Sequence, residues 1–558
     1  MNSRPLAVIV LLLLTPLLAF AEGQEGQADL DKALELKLSA ESIKDLSEVI
    51  NLSRSALAAG LDDANKEFAQ KLLIGTLVQR AEIMCRQIFD QPEPPVQWPL
   101  MRRQAMLDLE EAVKLDESQF DVHYMIGRLS ALPGGDRERA RKALDAAIKL
   151  SSESPADEAK SLLLRANLAE DAEKRIADYN RAVELAPEEA EIVRTRGLYL
   201  LMEKKYDEAL ADMDKAIELE PDHADSHEAR GVILFLQGKN DEAMKSFDRT
   251  IELEPKSAMT YTHRARIYAV KDEIDKATAE LDKALELDPK LVTAFVLRAR
   301  LHQQKGEKDA AMEDVTEALR LVPGDTQALQ LRALLLAGSG KLSDAIDDLQ
   351  QLRRTEPNNV ELLMQLGLFY GADKQPRKAI DVFSSILKKD PDNLLALRNR
   401  GDAWLGIGKL SDAIADYESA LKLEGKDSGV LNNLAWLLAT SPEDKLRDGK
   451  RAIELAKEAA RVTEFKQAHI LSTLAASYAE TGDFENAMTW SKKAVEIAET
   501  TDGNQEIRDQ LKAELASYEA KKPWREHIKE VADSDDPEPE DSPSPAEEPA
   551  ENEDAEEE

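Results

Sequence analysis

The chain has 558 residues, with 109 acidic against 73 basic side chains and a formal net charge of −36. Hydrophobic residues make up 43%, charged residues 33% and aromatics only 5%, which suits a helix-rich globular chain and excludes a polytopic membrane protein, a collagen-like protein and wholesale disorder. The acidic excess disfavours nucleic-acid binding, because phosphates would be repelled, and one cysteine excludes an internal disulfide framework or a cysteine-based zinc module.

At the start, residues 1–21 read as an export signal. Arg4 gives a short positive beginning, Leu6 to Leu18 is apolar apart from Thr15 and Pro16, and Ala19-Phe20-Ala21 fits a small-x-small cleavage site. An uncleaved anchor helix is the alternative, although the apolar run is short for a hydrocarbon core of ~30 Å. No cysteine follows the run, so a lipoprotein anchor is excluded. The mature chain is expected to be periplasmic or extracellular, without a transmembrane segment. Residues 22–103 read as an N-terminal helical region. Leu72, Leu77, Met84 and Ile88 mark one face of a long helix, broken from the next by the proline-rich stretch Gln91 to Pro99. Cys85 falls on that apolar face, which predicts a buried core thiol rather than a nucleophile. Asn51-Leu52-Ser53 is a formal glycosylation sequon, meaningful only in a eukaryotic secretory pathway.

The strongest signal is self-similarity. Pro187, Pro221, Pro255, Pro289, Pro323, Pro357 and Pro391 recur every 34 residues. Ala209, Ala243, Ala277, Ala311, Ala345, Ala379 and Ala413 keep that period, as does a small residue at Gly197, Gly231, Ala265, Ala299, Ala333, Gly367 and Gly401. Apolar residues between these marks recur at three and four, so each unit holds two amphipathic helices. The proline ends the second helix. Gly238, Gly306, Gly340 and Gly408 fall in the turn between the two helices, where a positive φ is expected.

This pattern closely resembles the tetratricopeptide repeat (TPR) family, matched in seven units that start near Ala190, Ala224, Ala258, Val292, Thr326, Val360 and Leu394. The family's aromatic in the second helix stands as Phe247, Phe383 and Tyr417 and is replaced by Met213, Leu281, Val315 and Leu349. Less regular units flank the array, and the resemblance covers roughly residues 104–500. It implies an all-α solenoid, a right-handed superhelix of helix hairpins. Residues 104–189 are then degenerate units, 190–427 the seven regular repeats, and 428–500 two further units, the first with an insertion from Thr440 to Lys450. Over 501–531 a final helix, with Ile507, Leu511, Leu515 and Tyr518 on one face, would cap the solenoid's exposed core. Residues 532–558 hold 14 acids, no base and five prolines, a composition that predicts a disordered tail.

The residue before each small position is arginine in six of the seven regular units. Sixteen residues later stand matching acids, giving Arg196 with Asp212, Arg264 with Glu280, Arg298 with Asp314, Arg332 with Asp348 and Arg400 with Asp416. The remaining unit has Leu366 and Val382, and flanking units pair Arg165 with Asp178, Ile126 with Ala143, Leu434 with Leu455 and Leu474 with Trp490. Charged goes with charged and apolar with apolar, so the two positions are inferred to touch as a two-point fork that sets register. Only Arg230, facing Ser246, breaks the rule, with Asp248 as the expected substitute.

In TPR arrays the first helices line a concave groove where partners usually bind; the resemblance implies this. From Met259 to Gln330 the groove places hold bases and amides but no acid: Arg266, Arg300, Gln303, Gln304, Gln327 and Gln330. Nearer the end, Arg398, Asn399, Asn432, Asn433 and Trp436 offer hydrogen-bond donors beside an aromatic surface. An ordinary solvated helix face is the alternative for both clusters. The carboxylate clamp of chaperone-binding TPRs is largely absent, since Arg398, Asp402, His469 and Thr473 stand around Asn433. The asparagine ladder of TPR glycosyltransferases has only Asn399 and Asn433, beside Thr195, Ala229, His263, Leu297, Leu331 and Gln365. His223 and His227 beside Asp222 and Asp225 are a weak metal constellation. With no phosphate loop, nucleophile elbow or Cys–His set, the reading is a non-catalytic scaffold without metal or cofactor that binds a protein or peptide. An accessory of a glycan-related or cell-envelope assembly, or a structural envelope protein, is the rival.

Overall fold

The computed structural model describes residues 25–91, 94–500 and 505–526, so the export signal and the acidic tail lie outside the described residues. The described chain is all-α, with 27 helices and no strand among the described residues. It falls into two units, divided between Glu273 and Ile274. The first holds α1 (Gln27–Ser39), α2 (Ile43–Ala59), α3 (Asp63–Phe89), α4 (Trp98–Leu115), α5 (Phe120–Ala131), α6 (Arg137–Leu150), α7 (Pro155–Leu168), α8 (Ala172–Leu185), α9 (Ala190–Met202), α10 (Tyr206–Leu219), α11 (Ala224–Leu236), α12 (Asn240–Leu253) and α13 (Ala258–Val270). The second holds α14 (Ile274–Leu287), α15 (Val292–Lys305), α16 (Lys308–Leu321), α17 (Thr326–Gly338), α18 (Leu342–Thr355), α19 (Val360–Ala372), α20 (Pro376–Leu387), α21 (Leu394–Gly406), α22 (Leu410–Leu423), α23 (Ser428–Thr440), α24 (Gly449–Val462), α25 (Ala468–Glu480), α26 (Phe484–Thr500) and α27 (Gln505–Glu519).

Short polar residues start the first helices. Asp325, Asn359 and Asn393 each accept a hydrogen bond from the backbone N–H three residues on, satisfying a donor the helix itself leaves orphaned. The recurring prolines sit in the turn just past the second helix, as Pro187 follows Ala186 and Pro221 follows Glu220, where no helical N–H is needed. Inside the hairpin, the first helix ends in a left-handed residue. Gly306 has φ +80°, and its N–H and that of Glu307 reach back to the carbonyls of Gln303 and His302. The same turn is made without glycine at Lys204 (φ 59°), Asp272 (φ 60°) and Lys374 (φ 58°), so the geometry belongs to the hairpin and not to the residue type.

The small positions mark where the two helices of a hairpin close. A Cβ on Gly231 would stand 2.5 Å from the Phe247 ring. Where alanine fills the small position, as at Ala299 and Ala333, the residue sixteen places on shrinks to Val315 and Leu349, and all four are completely buried. Volume is thus shared across the pair, as close packing requires.

Both ends differ in detail from the sequence reading. The N-terminal region is itself built of hairpins: α1 packs on α2, and α3 packs on α4 across the boundary read at residue 103. Arg80 on α3 donates through Nε (2.7 Å) and Nη2 (2.6 Å) to Asp108 on α4, and both side chains are buried. Cys85 lies in the core of this region, and burial pushes its thiol up to about 11. Ser53 is fully buried within α2, so the sequon is not a surface loop. On α27, Leu511 and Tyr518 are buried, but Ile507 is 51% exposed and the place between them goes to Glu514. Gln510 donates to Glu514 at 3.0 Å and the Ser472 hydroxyl also donates to it, while burial raises the pKa of its carboxyl. No helix of the described residues is long and apolar enough to cross a membrane.

An L-residue in the left-handed region is strained by roughly 1–2 kcal/mol. Lys204→Gly and Lys374→Gly are each expected to raise stability by about 1 kcal/mol, and Gly306→Ala to lower it by about as much, in urea unfolding followed by circular dichroism. Equal midpoints for all four proteins would contradict the assignment of strain to these turns.

Candidate partner-binding face

Within each unit the first helices of neighbouring hairpins pack on one another, α9 on α11 in the first and α15 on α17, α19 on α21 and α23 on α25 in the second. We take that row as the candidate inner face; its arginines are tied to carboxylates on the second helices. Arg196 holds Asp212 through Nε (2.8 Å) and Nη2 (2.6 Å). Arg298 does the same to Asp314 (2.8 and 2.6 Å), Arg332 to Asp348 (2.8 and 2.6 Å), Arg400 to Asp416 (2.7 Å for both) and Arg165 to Asp178 (2.8 and 2.7 Å). Hydrogen bonds donated to these carboxylates raise the pKa of Arg165, Arg196, Arg298 and Arg332 still further. In the apolar variant, Leu366 and Val382 share one core cluster, as Leu474 and Trp490 share another.

The sequence reading missed the third arm of the fork. The guanidinium also reaches sixteen residues back, to the second helix of the preceding repeat: Arg298 Nη1 to Asp282 (2.7 Å), Arg196 to Asn180 (3.2 Å), Arg400 to Ser384 (3.0 Å) and Arg264 to Asp248 (3.2 Å). This corrects the expectation for Arg230. It bonds Ser246 (2.7 Å) and Asp214 of the preceding repeat (2.6 Å), while Asp248 belongs to Arg264. The column Asn180, Asp214, Asp248, Asp282 was visible at the 34-residue period, two places after the acids of the forks.

On the inner face, Arg266 is half-buried on α13. It lies close enough to His263 to add to the effect of burial, and together they push that imidazole down to about 4, where it stacks on Phe247 with ring centroids 5.3 Å apart. Arg300, Gln303 and Gln304 are exposed on α15, with Arg300 Nη2 3.5 Å from the Gln327 side-chain oxygen on α17. At the other cluster the structure brings several residues together through Asp402. Asn433 (3.0 Å) and the Tyr417 hydroxyl (2.6 Å) both donate to its Oδ1, and Asn432 donates to Asn433 at 3.3 Å. Arg398 donates to Asp427, the N-cap of α23, at 3.2 Å. Asn399 spends its amide on the Leu395 carbonyl of its own helix (2.7 Å), so it forms no rung with Asn433. Trp436 is engaged by the chain itself, its Nε1 donating to Glu526 at 2.9 Å. His223 and His227 lie next to Ser226 and the Pro221 carbonyl of their own turn (3.3 and 2.9 Å), and no group of three potential ligands stands together among the described residues.

Models of the tetratricopeptide repeat match residues 176–219, 194–258, 258–405 and 468–501. The chain is a tetratricopeptide repeat protein, an all-α solenoid. Among solved structures it is similar to YrrB, described as a TPR protein with an unusual peptide-binding site, at 22% identity over 34% of this chain and 96% of that one, with a TM-score of 0.32. It is also similar to pilF of Pseudomonas aeruginosa (17% identity, 37% of this chain and 94% of that one, TM-score 0.34). A third is the human IFIT1 dimer with PPP-AAAA (17% identity, 70% and 94%, TM-score 0.36). No curated protein matches the chain. The family assignment rests on the repeat matches and on the hairpins themselves.

Two predictions separate the arms of the fork and the buried histidine. Asp314 is 6% exposed, so Asp314→Ala removes the buried half of the fork, leaves Arg298 to the more exposed Asp282 and is expected to cost about 3 kcal/mol. Asp282, with a side chain 57% exposed, is expected to cost under about 1 kcal/mol when replaced by alanine. Urea unfolding of both variants checks the ranking. For His263 the folded pKa of about 4 lies below the ordinary 6.5, so its share of stability is complete above 6.5 and is lost as pH falls through 4. His263→Phe is expected to flatten the stability profile between those pH values, a change on the order of 3 kcal/mol in unfolding free energy.

Proposed function

We propose that this chain is an exported, non-catalytic scaffold whose inner helical face binds an extended peptide or a partner subunit. Tetratricopeptide repeats are protein-interaction scaffolds, and one observation favours the face over the body of the array. The arginines of the repeat code are consumed in internal forks, whereas Arg300 stands exposed beside Gln303, Gln327 and Gln330, at a stretch of α15 and α17 whose inward places carry no acid. On a chain of net charge −36 such a patch selects ligands by what the rest of the surface repels: carboxylates and backbone carbonyls of an extended segment.

An affinity capture comparing wild type with Arg266→Glu/Arg300→Glu tests the reading. Loss of a partner at least tenfold from the variant is expected, as for interface arginines worth more than 1.4 kcal/mol, and equal recovery of every partner would remove this face from consideration. Export is tested on the purified mature protein, whose first residue is expected to be Glu22; a mature chain beginning at Met1 would overturn cleavage.

A further inference from the structure

In the second unit the carboxyl ends of α23 and α25 are covered by the chain's own last described residues. After α27 the backbone turns through Lys521 at φ 55°, with the Lys521 and Lys522 N–H groups donating to the Tyr518 and Ser517 carbonyls, and Pro523 prevents the helix from resuming. Residues 523–526 then run without secondary structure, each half-buried. Trp524 packs against the core of the unit. Arg525 reaches Glu480 at the end of α25 (2.6 Å) and the Ala439 carbonyl at the end of α23 (3.3 Å). Glu526 donates its N–H to the Thr440 carbonyl (3.0 Å) and accepts the Trp436 indole N–H (2.9 Å).

These contacts are of the kind made by a bound peptide. The last carbonyls of α23 have no partner within their own helix, and a cation beside them is favoured by the helix dipole. The receiving side is also assembled without the segment: Arg447 donates to Glu480 at 2.9 Å and to the Ser441 carbonyl at 2.9 Å, so the acceptor carboxylate is held in place from behind. A covalently attached ligand competes at a high effective concentration, so an external peptide enters only when the segment leaves.

We propose that residues 522–526 are an internal pseudo-ligand that closes a peptide site across the carboxyl ends of α23 and α25, and that the site takes an extended partner segment of the same chemistry, an aromatic followed by a base and an acid. This deepens the peptide-binding reading. Its probe is the chain's own segment, so its failure leaves the capture experiment on Arg266 and Arg300 untouched. The test is fluorescence anisotropy with a labelled peptide of residues 520–526 and two full-length chains, wild type and Trp524→Ser/Arg525→Ser/Glu526→Ser. The released chain is expected to bind the peptide at least tenfold more tightly than wild type, and adding Trp436→Ala to lose that gain. Equal binding by wild type and the released chain, or binding indifferent to Trp436→Ala, would overturn the proposal. Should the triple variant not fold, tryptic cleavage of wild type after Arg525 takes its place. Excess unlabelled peptide is expected to accelerate that cut at least threefold, and an unchanged rate would overturn the proposal.

Discussion

In the charged repeats, one guanidinium is shared between two hairpins. Arg298 is held by Asp314 of its own hairpin and by Asp282 of the hairpin before it, and Arg196 and Arg400 repeat the arrangement with Asn180 and Ser384 as the second acceptor. The first contact closes a hairpin and the second sets the rotation between neighbours. In a solenoid, stability is close to a sum of terms within repeats and terms between them. A single side chain here enters both, and the planar fork makes each contact directional. The buried carboxylates are therefore better understood as register marks than as a source of net stability, because their desolvation offsets much of the attraction.

That arrangement constrains where function is placed. Arginines at the repeat-code positions point between helices and are spent. Polar groups on the candidate inner face include those of α13, α15 and α17 and the network around Asp402, where Tyr417 and Asn433 converge on one oxygen. The carboxyl ends of α23 and α25 are a third location, and there the chain covers itself. The negative charge is correspondingly uneven: 14 acids without a base lie in 532–558, while Arg300 and its neighbouring amides face outward from the inner row.

The repeat, its turns and its forks were readable because the period exposes them. Every 34 residues the same packing problem recurs, so a column of residues reports a contact that no single position would. The third arm of the fork was readable in principle, from the polar column two places after the fork acids. Arg80 and Asp108 were not, since they are 28 residues apart and belong to no register. Glu514 was hidden for a different reason. A charged residue on a capping helix is ordinarily placed in solvent, and only its partners Ser472 and Gln510 make its burial possible.

The sequence by itself determined the fold class and the forks of Arg165, Arg196, Arg298, Arg332 and Arg400, because those follow from local periodicity and from residues matched at a constant spacing. Tertiary structure decided which groups remain available. Whether Trp436 is an anchor for a partner or is covered by Glu526 depends on a contact 90 residues apart in the chain. Such contacts form because an orphaned carbonyl or indole N–H bonds whatever the folded chain brings near it, and no period in the sequence records that meeting.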